Sequence, residues 1–158
     1  MSVGSLYQYY PNRDALLAAV LEKHLLEVAE VVERTCEQCR AKPVADMASA
    51  LVSAFLAVKL RDPATSKALY AIAAERGGAE LVARINTRMV AATAAMLTTA
   101  PDAHFEAPAL IAAVSLNALV GPVRAVLEGY AQPLFEACLE QQATLLLTAY
   151  LQTYRKPG

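Results

Sequence analysis

Apolar residues at Leu16, Leu17, Val20, Leu21, Leu25, Val28, Val31 and Val32 recur at spacings of three and four. Only an α-helix turns that spacing into one continuous face. Glu22, Lys23, Glu27, Glu30, Glu33 and Arg34 fall largely on the opposite side. Asn12 stands just ahead, where its side-chain oxygen can accept from a free amide of the first turn, and Asp14 places negative charge at the positive helix end. Pro43 sets the far limit, so a long helix is expected from about Asn12 to Ala41.

Five more helices follow by the same reasoning. The second spans about Val44 to Leu60, with Met47, Leu51, Phe55 and Val58 in a stripe. Asp62-Pro63 opens a third, running from about Ala64 to Arg76, and Gly77-Gly78 is expected to end it. A fourth covers Ala79 to about Thr99, a fifth about Glu106 to Glu128 with Gly129 as its stop, and a sixth about Gln132 to Tyr154. No strand alternation, repeat or low-complexity linker interrupts them. The expected fold class is all-α, a helical bundle joined by short turns.

Composition narrows the function. Hydrophobic residues make up 56% and charged residues 18%, too apolar for a disordered chain. The formal net charge of -1 carries no basic excess of the kind a free-standing nucleic-acid binder shows. No cationic start followed by an apolar run marks a signal peptide. The longest apolar uncharged stretch, Ala107 to Val123, is short for a membrane span and contains Pro108, Asn117, Gly121 and Pro122. No membrane partner is expected. Three cysteines are too few for a secreted disulfide scaffold, so a cytoplasmic location is the default.

The opening run Ser2-Val3-Gly4-Ser5-Leu6-Tyr7-Gln8-Tyr9-Tyr10-Pro11-Asn12-Arg13-Asp14-Ala15-Leu16-Leu17 resembles the junction of the tetracycline-repressor (TetR) family. There a helix-turn-helix ends in its recognition helix, followed by an aromatic-proline break and a capped connecting helix. The family commonly carries phenylalanine at Tyr10, lysine at Arg13 and glutamate at Asp14, so the chemistry at those positions is kept. The resemblance implies a helix-turn-helix remnant over 1–11 and a helical ligand-binding and dimerisation domain over 12–158.

Ser2, Val3, Gly4 and Ser5 are small enough for close approach to a major groove, and the hydroxyls of Tyr7 and Tyr9 can donate to phosphate. Arg13, beside the free amides of a helix start, suits phosphate as well. Family members have two further helices before this point. A chain beginning at Met1 is therefore expected to bind operator DNA weakly or not at all unless those helices are supplied.

The last two helices are the candidates for a homodimer interface. Leu110, Val114, Ala118 and Val126 can line one, and Leu134, Cys138, Leu145 and Ala149 the other. Two such helices from each subunit would form a four-helix contact. Gly121-Pro122 is expected to kink or restart the fifth helix, shaping a pocket wall or satisfying packing. The resemblance implies a cavity among the middle helices for a small apolar or amphipathic ligand. Met47, Phe55, Tyr70, Met89, Met96 and Asn117 are its candidate contacts, although each is also an ordinary core residue type.

Cys36 and Cys39 form C-x-x-C on the first helix, a spacing that could bind metal or sense redox state, but with no second pair at zinc spacing they read as ordinary buried or half-buried thiols. His24 and His104 belong to no metal motif, and neither a nucleophile elbow nor a phosphate loop is present. No cofactor or metal is expected, and an enzyme is disfavoured. The resemblance implies instead a one-component regulator, a repressor by family habit, in which a ligand in the bundle repositions the reading heads. The alternative is a helical module that binds a ligand or heterodimerises without touching DNA.

Overall fold

The computed structural model describes residues 12–74 and 78–156. Ser2, Val3, Gly4, Ser5, Tyr7 and Tyr9, the expected DNA contacts, lie outside the described residues. Six helices follow in order: α1 (Arg13–Gln38), α2 (Val44–Leu60), α3 (Pro63–Ala73), α4 (Gly78–Leu97), α5 (Pro108–Leu127) and α6 (Pro133–Gln152).

Asn12 caps α1, its Oδ1 accepting from the Ala15 N–H at 2.8 Å. The helix stops at Gln38, three residues short of the expected end. Ala41 is the reason: it turns into the left-handed region (φ 58°), and its N–H donates to the Thr99 hydroxyl at 2.8 Å. The chain thus leaves the helical path before Pro43 requires it.

α2 buries residues on nearly every side, including Val44, Met47, Leu51, Val52, Phe55 and Leu56. Such a helix belongs at the centre of a bundle. It packs against α1, α5 and α6. Pro43 offers its first turn no side-chain cap, and the Asp102 carboxylate supplies one from 58 residues away by accepting from the Val44 N–H at 3.0 Å.

Asp62 caps α3, accepting from both the N–H (3.1 Å) and the hydroxyl (2.6 Å) of Thr65, with Pro63 opening the helix. α3 stops at Ala73, ahead of the expected Arg76; of the expected Gly77-Gly78 terminator, Gly77 lies outside the described residues and Gly78 does not end this helix. It opens α4, pressed against the end of α3 where a Cβ would stand 2.6 Å from the Ala73 carbonyl oxygen. Only glycine leaves room for that approach.

α5 continues through Pro122, so of the expected kink or restart, the restart does not occur. Gly129 ends it in a left-handed conformation (φ 78°), and the Tyr130 and Ala131 amides both return to the Ala125 carbonyl. At 20 residues and a mean hydropathy of 1.8, α5 is by length and composition alone able to cross a membrane, although the apolar run Ala107 to Val123 is short for a span. Its inner side is a core face: Ile111, Ala112, Leu116, Leu119, Val123 and Leu127 are buried.

One apolar cluster joins α1, α2, α4, α5 and α6. α4 lies along α1, where Arg84 pairs with Glu22 (2.9 Å) and Arg88 grips Glu33 with two hydrogen bonds. The segment after α4 is tied to the tail beyond α6. The His104 N–H donates to the Tyr154 carbonyl at 3.0 Å, and the Phe105 and Tyr154 rings pack at a tilt of 45° with centroids 5.4 Å apart.

Candidate functional site

Leu69 of α3 is buried, yet it stands apart from the main apolar cluster. Between α3 and that cluster lies a cleft of about 490 Å³, within the ~300–1,000 Å³ span of small-molecule sites. Every helix except α6 contributes to it. α1 brings Leu21, His24, Leu25 and Val28, and α2 brings Phe55 and Lys59. Ser66, Leu69 and Tyr70 come from α3, Ile85, Asn86 and Met89 from α4, and Leu116, Asn117 and Arg124 from α5.

Most of this wall is apolar, so its polar members stand out. Lys59 is only 7% exposed. Its ammonium lies 4.6 Å from the centre of the Tyr70 ring, a cation–π contact, and it has no carboxylate partner among the described residues. Burial alone pushes its pKa down from 10.5 to about 8. His24 is half-buried with its Nε2 orphaned, and burial followed by the nearby Lys59 charge lowers its pKa. Tyr70 is pushed up by burial, with the Arg124 guanidinium acting in the opposite sense from 5.7 Å.

Other polar groups are already engaged. The Ser66 hydroxyl donates to the Lys59 carbonyl at 2.7 Å. The Asn117 amide donates to the Ala113 carbonyl at 2.8 Å, and Arg124 pairs with Glu128 one turn along α5.

Of the six expected ligand contacts, Phe55, Tyr70, Met89 and Asn117 border this cleft. Met47 and Met96 do not; both are sealed in the core at 0% and 1% exposure. Arg13 is exposed at the start of α1. Cys36 and Cys39 are buried, and the Cys36 thiol lies 3.7 Å from the Thr93 hydroxyl with its pKa raised to about 11, mainly by burial.

The residues of the expected interface divide. Leu110 (64% exposed), Val114, Leu134 (76%) and Leu145 (57%) point outward, joined by Phe135 and Leu146. Ala149 is exposed, and Ala118 and Cys138 are half-buried. Val126 turns to the other side of α5 and packs against the core.

Lys59, His24 and Arg124 were not singled out from the sequence. The first two carried a legible signal. Lys59 is four residues past Phe55, in phase with Leu51, Val52 and Phe55, where a charge has no solvent to face. His24 falls between Leu21 and Val28 on the same stripe. Arg124 carries no comparable signal, because its phase on α5 is that of an exposed residue.

No curated protein matches the chain. Among solved structures, it superposes on a protein of unknown function from Rhodococcus sp. RHA1 with a TM-score of 0.70 at 19% identity, covering 93% of this chain and 77% of that one. That likeness establishes the fold. Residues 43–151, from the start of α2 to the last turn of α6, match the family described as the tetracyclin repressor-like C-terminal domain, and the chain belongs to that family.

Proposed function

We propose that this domain senses a small molecule for a TetR-type transcriptional regulator, a repressor in its simplest form, and works as a homodimer. The observation that carries the reading is the authorship of the cleft wall. Four of its residues, Leu21, His24, Leu25 and Val28, belong to α1, the helix that continues from the segment resembling a recognition helix. A ligand between α1 and α3–α5 displaces α1, and a paired reading element moves with it.

The outer faces of α5 and α6 support the dimer. Leu110, Val114 and Gly121 follow one stripe on α5, and Leu134, Cys138 and Leu145 follow one on α6. A Cβ at Gly121 would meet nothing within 4 Å among the described residues, so no packing among them calls for glycine there. Mid-helix glycine costs ~1 kcal/mol relative to alanine, and a closely approaching helix of a second subunit gives it a use. The same partner would cover the exposed leucines, which suit a protein contact better than open water. DNA binding on this reading requires a complete helix-turn-helix ahead of α1.

Spin labels test the coupling. A nitroxide on Ala18→Cys, in a background with Cys138→Ser, reports the distance between the two α1 helices of a dimer. Ligand binding is expected to shift that distance by at least ~2 Å, the scale of helix movements in switching proteins. An unchanged distance distribution at saturating ligand refutes the coupling.

A further inference from the structure

Among the described residues, the lining of the cleft contains one lysine, one arginine and one histidine, and no aspartate or glutamate. Water barely reaches Lys59, and no described acid pairs with it, although buried lysines are ordinarily paired. His24 shares that inner wall and has a ring nitrogen with no hydrogen-bond partner. The carboxylates nearest His24, Glu27 and Asp62, are absent from the lining, and Glu27 is engaged with Arg61 at 2.8 Å. Leu21, Phe55, Leu69, Ile85 and Met89 line the same cleft with apolar side chains.

We propose that the ligand is a lipophilic monocarboxylate, its carboxylate held between the Lys59 ammonium and His24 and its apolar body lying along Phe55, Leu69, Ile85 and Met89. This rests on the sensor reading above and names the class of molecule sensed. A carboxylate supplies the counter-charge that Lys59 lacks and accepts a hydrogen bond from a His24 N–H. A single anionic group suffices, because only one ammonium is buried there; Arg124 stands at the exposed edge with Glu128 as its partner. A cationic head group meets Lys59 as a like charge. A neutral alcohol leaves the ammonium unpaired.

The 158-residue chain is titrated calorimetrically with two sets of probes that share a body and differ in head group. One set is octanoate, 1-octanol and octylamine. The other is 4-phenylbutyrate, 4-phenylbutanol and 4-phenylbutylamine. In at least one set the carboxylate is expected to bind roughly 10- to 100-fold more tightly than the alcohol, with the amine weakest. Lys59→Met is expected to erase the carboxylate advantage while leaving alcohol affinity within about threefold, a pattern that general disruption of the fold would not produce.

Equal affinity of acid, alcohol and amine overturns the carboxylate assignment and leaves the cleft standing as a sensor site. Loss of acid and alcohol binding together in Lys59→Met also overturns it. If no member of either set binds, the assignment falls along with the view of this cleft as a site for lipophilic molecules.

Discussion

Replacing Lys59 by methionine should make the unliganded domain more stable, contrary to the usual result of altering a buried residue. The pKa of the buried ammonium is held at about 8 against an ordinary value of 10.5. At ~1.4 kcal/mol per pH unit, that displacement corresponds to about 3 kcal/mol of destabilisation at neutral pH. Methionine keeps an unbranched stem of similar length in the cleft. It forfeits the contact with the Tyr70 ring, which is worth ~0.5–2 kcal/mol. The net gain expected for Lys59→Met at pH 7 is therefore about 1–3 kcal/mol, or a Tm rise of roughly 3–10 °C for a domain of this size.

The pH dependence has a definite direction. In the unfolded chain Lys59 keeps its proton up to 10.5, whereas in the folded chain it gives the proton up from about 8. Between those values folding releases a proton, so raising the pH favours the folded form. The burden is full below pH 8 and fades by pH 10.5. Urea titrations of both proteins at several pH values check this, and the difference between them isolates Lys59 from other titrating groups. A mutant that is no more stable than the wild type at pH 7, or a difference constant from pH 7 to 10.5, refutes the claim that the lysine is buried without a partner.

Two further substitutions probe other parts of the architecture. Leu134→Glu should convert the proposed dimer to a monomer in sedimentation velocity: two symmetry-related leucines at ~1.5–3 kcal/mol each correspond to a loss of affinity of roughly 10²- to 10⁴-fold, while the helical circular dichroism stays unchanged. A dimer of undiminished affinity would place the interface elsewhere. Gly78→Ala should lower the urea midpoint by the equivalent of about 1–3 kcal/mol, because the new methyl meets backbone rather than a movable side chain; an unaltered midpoint would show that α3 and α4 do not meet so closely.

What could be read from the sequence was local. Asn12, Asp62 and Gly129 act within a few residues of themselves, and each sits where its chemistry indicated. Other features of the helix ends depended on distant partners. α1 stops early, where Ala41 is bonded to Thr99, and α2, though its limits are those expected, is capped by Asp102; both partners are about 58 residues away and invisible to any local window. The cleft was half legible for the same reason. Phe55, Tyr70 and Met89 were marked by residue type, but Met47 and Met96 share that type and serve as core. Residue type separates apolar from polar and leaves open which apolar side chains face a void. Lys59 was within reach of periodicity, because a charge in phase with a buried stripe contradicts its surroundings and calls for a reason.

The knot formed by Ala41, Thr99, Asp102 and Val44 bears on how this bundle transmits force. It pins the turn after α1 to the loop after α4, and Lys156 secures the same loop from the tail, its N–H donating to the Asp102 carbonyl at 3.1 Å. The cleft touches α1 only between Leu21 and Val28, away from this anchorage. On the proposed sensor reading, α1 pushed there would pivot as a rod about its Gln38 end, with travel growing toward Arg13 against the Arg84–Glu22 and Arg61–Glu27 pairs. At ~1.5 Å per residue, the 26-residue rod is about 39 Å long, so a tilt of about 5° carries its free end about 3 Å. On that reading, the fastening at one end of the helix sets the gain at the other.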